Sequence, residues 1–564
     1  MKRDLTAFAD TEFDLAIIGG GVTGATIAWD ATLRGLKVAL VEKDDFGQWT
    51  SAASSKLIHG GLRYLKQGQF GVVLESLKER YIWETIAPHM VQPLAFMLPT
   101  YGWGMKGPFV LGLGLHAYDF MGNLTQAPLD PEKKVPRHRR MNRQNTEIRA
   151  PFIKPDKLTG AQLYYDCQML HPERMVLECL QGAAARGTAI ANYTAATGLL
   201  TAGNGQVEGV TVRDELSGES HTIKARLTIN AAGPWADQVM GLAANDGDAP
   251  SRRLIRSKGI HVIVPDTLGL GLSEHGHPIG MAVAAQGSHF FMIPWRDHII
   301  IGTTDTKFDD APDSVRPLDE DVDALLSLVN EALPGLTITR KDVVHAYAGL
   351  RPLIDTQTEV DTGTAEADDT YGASRAAEIF DHAEDGHPGL LSALGGKWTT
   401  SRHLAEQVVD QAVAELSAIL PECSTATTPL FGGNILRYTA YENAIAAEHK
   451  GTADEATLRY LASIYGSRAP EIINLIEPGD APLAPGRYEV PAQVRRAIKN
   501  EMAQNLRDIV FRRTGIGTLG HPGWTALAAI AAIAAPLLGW DEARIAQEIA
   551  DCDKAFAVPE NGLG

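Results

Sequence analysis

One stretch constrains this chain more than any other: Asp14 to Glu42, reading DLAIIGGGVTGATIAWDATLRGLKVALVE. Leu15 to Ile18 is an unbroken apolar run, the pattern of a buried strand. Gly19, Gly21 and Gly24 follow in G-x-G-x-x-G spacing, and Ile27, Ala28, Ala31 and Leu33 continue as an apolar helical stretch. Gly35 stands where a helix commonly ends. Val38 to Val41 is a second apolar strand, closed by Glu42. The spacing predicts a βαβ unit of about 30 residues, the setting in which this glycine pattern signals dinucleotide binding. The glycines let the backbone turn tightly and approach a pyrophosphate. The helix N-terminus offers that anion free N–H groups and the positive end of its dipole. Glu42 can accept the hydroxyls of an adenosine ribose. The motif by itself leaves NAD and FAD open.

The rest of the chain bounds the reading. Its 564 residues allow two to four domains, and a formal charge of -18 argues against nucleic acid as the main partner. Cys167, Cys179, Cys423 and Cys552 form no C-x-x-C pair and no metal spacing, which suits a reducing, cytoplasmic compartment and predicts no metal. MKRDLTAFADTEF at the start has no apolar run behind its basic residues, so no secretory signal is expected. Pro522 to Trp540 is uncharged, but it is alanine-rich and interrupted by Pro536. It reads as a buried helix of a C-terminal helical domain rather than a membrane span.

After Glu42 the chain does not start another βα unit. It gives FGQWTSAASSKLIHGGLRYL, Phe46 to Leu65, dense in hydroxyl, basic and glycine residues. Such donors suit a loop around phosphates and the edge of a flavin, and they favour FAD.

SSKLIHGGLRYL, Ser54 to Leu65, resembles the signature of the FAD-dependent glycerol-3-phosphate dehydrogenases. YYDCQM (Tyr164 to Met169), NAAGPWAD (Asn230 to Asp237), PWRDHIIIGTTDT (Pro294 to Thr306), AGLRPL (Ala348 to Leu353) and LGGKWTTSRHLAE (Leu394 to Glu406) resemble further motifs of that family, in order. Leu461 to Ala469 and Glu501 to Thr514 resemble its helical domain. Three departures stand out: Cys167 where glycine is usual, KGIH at Lys258 to His261 in place of KGSH, and Ala376 in place of an aspartate. At residue level His261 reads as a satisfied strand histidine. The resemblance implies a glutathione-reductase-like FAD domain of the D-amino-acid oxidase group, α/β with a Rossmann-like sheet. A β-rich substrate domain is inserted and a helical domain closes the chain. The expected limits are 1–85, 150–250 and 345–410 for the FAD domain, 86–149 and 251–344 for the substrate domain, and 411–564 for the helices.

The cofactor contacts expected on this basis are Gly19, Gly21, Val22, Thr23, Gly24, Glu42, Lys43, Thr50, Ser51, Ser54, Ser55, Lys56, Ile58, Ala231, Gly233, Trp235, Thr303, Gly395, Gly396, Lys397, Trp398 and Thr399. Oxidising a secondary alcohol at a flavin requires a held carbon, a destination for the hydroxyl proton and a grip on the remote phosphate. Guanidinium groups pair bidentately with phosphate. The resemblance implies that Arg63 and Arg375 hold the phosphate, with Tyr64 beside them, and that Arg351 sits at the reacting hydroxyl. His59 is the candidate for the proton. The implied reaction is oxidation of sn-glycerol 3-phosphate to dihydroxyacetone phosphate, with electrons passed to a quinone. An oxygen-using oxidase and an amine oxidoreductase of the same fold are the alternatives.

Phe109 to Phe120 is apolar, and Lys133, Lys134, Arg137, Arg139, Arg140 and Arg143 come after it. This reads either as core beside a solvated face or as a surface lying on the inner face of an anionic membrane. A second copy of the chain, in a homodimer, completes the expected partners.

Overall fold

The protein is described by a computed structural model covering all residues except 10, 67, 126–129, 244–253, 267–271, 275–276, 286–287, 355–376, 557 and 559–564. Its organising element is the unit foreseen above. Glu12–Ile18 is a strand, Val22–Leu33 a helix and Val38–Val41 a parallel strand, with Leu15, Ile17, Val38 and Leu40 all buried. Gly24 shows why the helix can lie so close. A Cβ there would stand 1.9 Å from the Gly19 carbonyl oxygen, inside any permitted contact.

Among the described residues, eight strands form this first sheet. Its path runs Ala377–Asp381, Leu390–Gly395, Ser220–Asn230, Glu12–Ile18, Val38–Val41, Ala189–Ala191. Glu12–Ile18 lies at the centre between two parallel neighbours, so residues around positions 15, 40 and 229 share one core. Thr194–Thr201 and Val207–Asp214 form a hairpin across Gly203–Gly205 and join through Ser220–Asn230.

A second sheet of eleven described strands stands beside it. Leu254–Pro265, Ser288–Trp295 and His298–Gly302 belong here, as expected of a β-rich unit. Leu57–Ile58, Leu158–Met169 and His345–Ile354 pair here too, although the sequence limits assign them to the FAD unit. The reason is register. Leu158–Met169 carries a long ladder with Val91–Tyr101, unbroken from Val91 to Thr100, and His345–Ile354 one with Leu254–Pro265. Each must share a sheet with its partner.

The C-terminal part is helical. Trp524–Leu538 packs Ala526, Leu527, Ile530, Ala531 and Ala534 into a core of its own. Among the described residues no helix is long and apolar enough to cross a membrane. Glu501 to Thr514 is not one continuous helix: Pro491–Glu501 ends at Met502, which adopts φ 56°, and a π-helix follows at Asp508–Arg513. The break turns Asp508, Arg512 and Arg513 toward Asp45 on the loop after Glu42. Arg513 donates to both Asp45 oxygens at 2.7 Å, Arg512 to one at 2.5 Å, and all four residues are buried.

Candidate active site

The cleft opens at the carboxyl ends of the central strands of the first sheet, where such sheets bind ligands. Gly19, Gly21, Val22 and Thr23 form one wall, and Glu42, Lys43, Thr50 and Ser51 line it from the following strand and loop. Ala231, Gly233 and Trp235 close a second side, and Gly395, Gly396, Lys397 and Trp398 a third. The volume is about 310 Å³. Gly19 has φ 113°, and a Cβ on it would meet the Ala231 carbonyl oxygen at 2.5 Å, so glycine is required where the two strand ends approach.

Glu42 is buried. Its Oε2 accepts the Gly20 N–H at 2.6 Å and its Oε1 the Asp44 N–H at 3.0 Å. Burial pushes its carboxyl up to about 7 despite those two donors. Lys43 pairs with Asp313 and lies 4.6 Å over the Trp235 ring and 5.3 Å over Trp49. The Trp235 indole also donates to Asp313, at 2.9 Å. The Thr50 hydroxyl donates to the Leu350 carbonyl (2.7 Å), Ser51 Oγ accepts the Val22 N–H (2.9 Å), and the Trp398 indole donates to the Ser51 carbonyl (3.1 Å). The loop is therefore tied to both sheets.

Other expected contacts do not line the cleft. Gly24 serves helix packing, as described above. Ser54 Oγ accepts the Lys56 N–H (3.2 Å), and Ser55 Oγ bonds His261 Nε2 (2.8 Å). The Lys56 ammonium is buried 3.7 Å from Glu173 and 4.8 Å over the Trp295 ring, because an ammonium so enclosed needs a counter-charge. Ile58 is core. Thr399 Oγ1 accepts the His59 N–H (3.2 Å). Thr303 Oγ1 accepts from Arg351 (2.7 Å). The sequence missed Gln48, Trp49, Thr194, Ala195, Ala196 and Ser401, which do line it. Trp49 stood within the loop already singled out, whereas Thr194 to Ala196 carried no signal.

Arg351 lies on His345–Ile354, next to Pro352, which lines the cleft. Its Nη1 donates to Ser257 Oγ (3.0 Å) and its Nη2 to Thr303 Oγ1 and the Thr304 carbonyl (3.0 Å). His261 stacks on Tyr347 at 5.0 Å. Burial, with the charges of Arg351 and Lys56, brings its imidazole down to about 3, so it is neutral at ordinary pH. Tyr64 is buried with the Lys397 ammonium 4.6 Å over its ring. The Arg63 side chain and the whole of Arg375 lie outside the described residues.

These residues fit a flavin dinucleotide. A backbone cradle at a helix N-terminus, a buried carboxylate at the second strand end and a glycine pair beside an ammonium lie along one cleft. Residues 14–402 match the family model described as FAD dependent oxidoreductase, and residues 423–545 match the C-terminal domain of alpha-glycerophosphate oxidase. Glycerol-3-phosphate dehydrogenase of Synechocystis is 33% identical over 558 residues, 97% of each chain. The chain belongs to the FAD-dependent glycerol-3-phosphate dehydrogenase family. Aerobic glycerol-3-phosphate dehydrogenase of Staphylococcus aureus is 35% identical over 516 residues, covering 89% of this chain and 87% of the relative. Among solved structures, the glycerol-3-phosphate dehydrogenase of Bacillus halodurans complexed with FAD superposes with TM-score 0.74 at 26% identity, over 98% of this chain and 96% of that one. The protein is thus an FAD-dependent enzyme.

Proposed function

We propose that the protein oxidises sn-glycerol 3-phosphate to dihydroxyacetone phosphate and passes the electrons to a membrane quinone. The carrying observation is the match to the Synechocystis dehydrogenase along nearly the whole of both chains. The fixing of Arg351 beside the cofactor cleft supports it. When bound, FAD supplies the two-electron acceptor. The reaction removes a hydride from the carbinol carbon and a proton from its hydroxyl. The hydride goes to the acceptor, and His59 takes the proton. Arg351, held by three oxygens in a fixed plane, orients the hydroxyl and stabilises negative charge on its oxygen as the proton leaves. Arg63 and Arg375 grip the phosphate, and Tyr64 is a further substrate contact. Residues of the first sheet serve the cofactor and those of the second the substrate.

The outer face of the Pro108–Asn123 helix supports membrane contact. Phe109, Leu113 and Phe120 are 76%, 64% and 66% exposed, and Trp103, on the loop before the helix, is 79% exposed. Arg137, Arg139, Arg140 and Arg143 are exposed nearby in sequence. Lys133 leaves the basic run, because it is buried and donates to the Val91 carbonyl (2.9 Å). The protein then rests peripherally on the inner face of the cytoplasmic membrane. A second reading, oxygen as acceptor, is motivated by the oxidase-derived description of the C-terminal family model.

Anaerobic addition of sn-glycerol 3-phosphate should bleach the bound flavin, and a soluble quinone analogue should restore its colour. A flavin that stays oxidised refutes the substrate. Stoichiometric hydrogen peroxide in air, with no quinone turnover, selects the second reading.

A further inference from the structure

We infer that Asp166 and Tyr118 are positioning residues that set the His59–Tyr64 segment from beneath. The two-residue strand Leu57–Ile58 pairs with Gln168 and Cys167, and the chain then leaves the sheet as His59-Gly60-Gly61 before the short helix Leu62–Lys66. So short a strand fixes little of the chain beyond it. Two successive amides do that work. The His59 N–H donates to Thr399 Oγ1 at 3.2 Å, and the Gly60 N–H to Asp166 Oδ1 at 3.1 Å.

The Asp166 carboxylate is itself held from two helices. Arg80 Nη1, on Phe70–Ile86, donates to Oδ1 at 2.7 Å. Tyr118 Oη, on Pro108–Asn123, donates to Oδ1 at 2.8 Å and to Oδ2 at 2.9 Å. All three side chains are buried. There is no slack above them. A Cβ on Gly60 would stand 2.4 Å from Tyr118 Oη and 2.5 Å from Leu77 Cδ2.

A blander account would have Asp166 merely neutralise Arg80. That account does not need Gly60 on the same oxygen, nor a phenol spanning both. Tyr118 lies on the buried side of the helix whose other side exposes Phe109, Leu113 and Phe120. The apolar outer face and the segment carrying His59 are thus joined through one hydroxyl. The catalytic half of this inference rests on the substrate role proposed above for His59 to Tyr64. The positional half does not.

The test uses full-length, FAD-loaded enzyme, unaltered and as Tyr118→Phe and Asp166→Asn. Tyr118→Phe leaves the Arg80–Asp166 pair intact, so it separates positioning from charge balance. Amide exchange in peptides spanning 57–65 should quicken in Tyr118→Phe by about tenfold, the worth of one hydrogen bond to a charged group. Exchange in Glu12–Ile18 and Leu390–Gly395 should not change. The limiting rate of flavin reduction by sn-glycerol 3-phosphate should fall by a similar factor, with flavin content and visible spectrum preserved. Unchanged exchange in 57–65 in Tyr118→Phe overturns the inference, whether or not Asp166→Asn folds. Quickened exchange with a normal limiting rate overturns its catalytic half. If the unaltered enzyme is never reduced by this substrate, the proposed function fails, and the exchange result still judges the positioning.

Discussion

Glu42 yields the sharpest quantitative expectation. Its carboxyl, buried at the end of Val38–Val41, is raised from 4.5 to about 7. That difference corresponds to roughly 3 kcal/mol favouring the neutral form in the folded apoprotein. The sign comes from linkage. A carboxyl raised on folding contributes stability fully present below its unfolded value, lost as pH rises through 4.5 to about 7. Ribose hydroxyls donating to Glu42 would reward the ionised form and return its pKa toward the ordinary range. FAD binding should therefore release a proton near neutrality, and affinity should rise with pH up to about 7. With one proton linked, the ionised fraction of the apoprotein grows roughly 25-fold between about pH 5.5 and 7.5, which caps the gain in affinity. Apoprotein titrated with FAD, read by quenching of flavin fluorescence, measures it. Glu42→Gln should abolish the pH dependence and weaken binding at high pH by roughly 10- to 150-fold, the loss of a charged hydrogen bond. An equal pH dependence in Glu42→Gln would refute the assignment of the ribose to this carboxylate.

Gly24→Ala places a methyl 1.9 Å from the Gly19 carbonyl, so the Val22–Leu33 helix must shift; the purified protein should be colourless while keeping its far-ultraviolet circular dichroism. Asp45→Asn leaves Arg512 and Arg513 without their shared charge, and should cost about 3–5 kcal/mol, seen as a lowered thermal midpoint. Arg512 and Arg513 hold Asp45 well below the usual carboxylate range, so its contribution in the unaltered protein persists at neutral pH and fades only in strong acid. Arg351→Lys should slow flavin reduction even at saturating substrate in stopped-flow, since an ammonium cannot serve Ser257, Thr303 and Thr304 in one plane; a normal limiting rate would remove Arg351 from the chemistry. Phe109→Ser with Phe120→Ser should abolish flotation with anionic vesicles at low salt; unchanged flotation would place membrane contact elsewhere.

The features legible in the sequence were those encoded locally. The Asp14–Glu42 unit and the Trp524–Leu538 helix each carry their periodicity and end signals within their own residues. Lys56 and Lys133 were misplaced for one shared reason. A lysine in a loop reads as a donor to ligand or solvent, yet Lys56 faces Glu173, and Lys133 faces the Val91 carbonyl and the Tyr438 ring. These partners are distant in sequence, and only the fold brings them near. Thr194 to Ala196 line the cleft but are small residues with no ligand-specific chemistry in the sequence. Met502 breaks an otherwise plausible helical period because Arg513, held by Asp45 and the Glu501 carbonyl, sets the direction of the chain beyond it.

The order of strands in the first sheet governs how this protein must be made. Glu12–Ile18, at the centre, needs Ser220–Asn230 on one flank, and that strand in turn needs Leu390–Gly395. A ribosome adding about 5–20 residues per second therefore leaves the first strand without that neighbour for roughly 10–40 seconds. Lys397 and Trp398, which close the cleft, emerge later still, and the arginines that clamp Asp45 come last. The cleft lining ends at Leu404, so a complete cleft exists only after the strands up to Leu390–Gly395 have been made, and until Ser220–Asn230 arrives the apolar central strand lacks one flank.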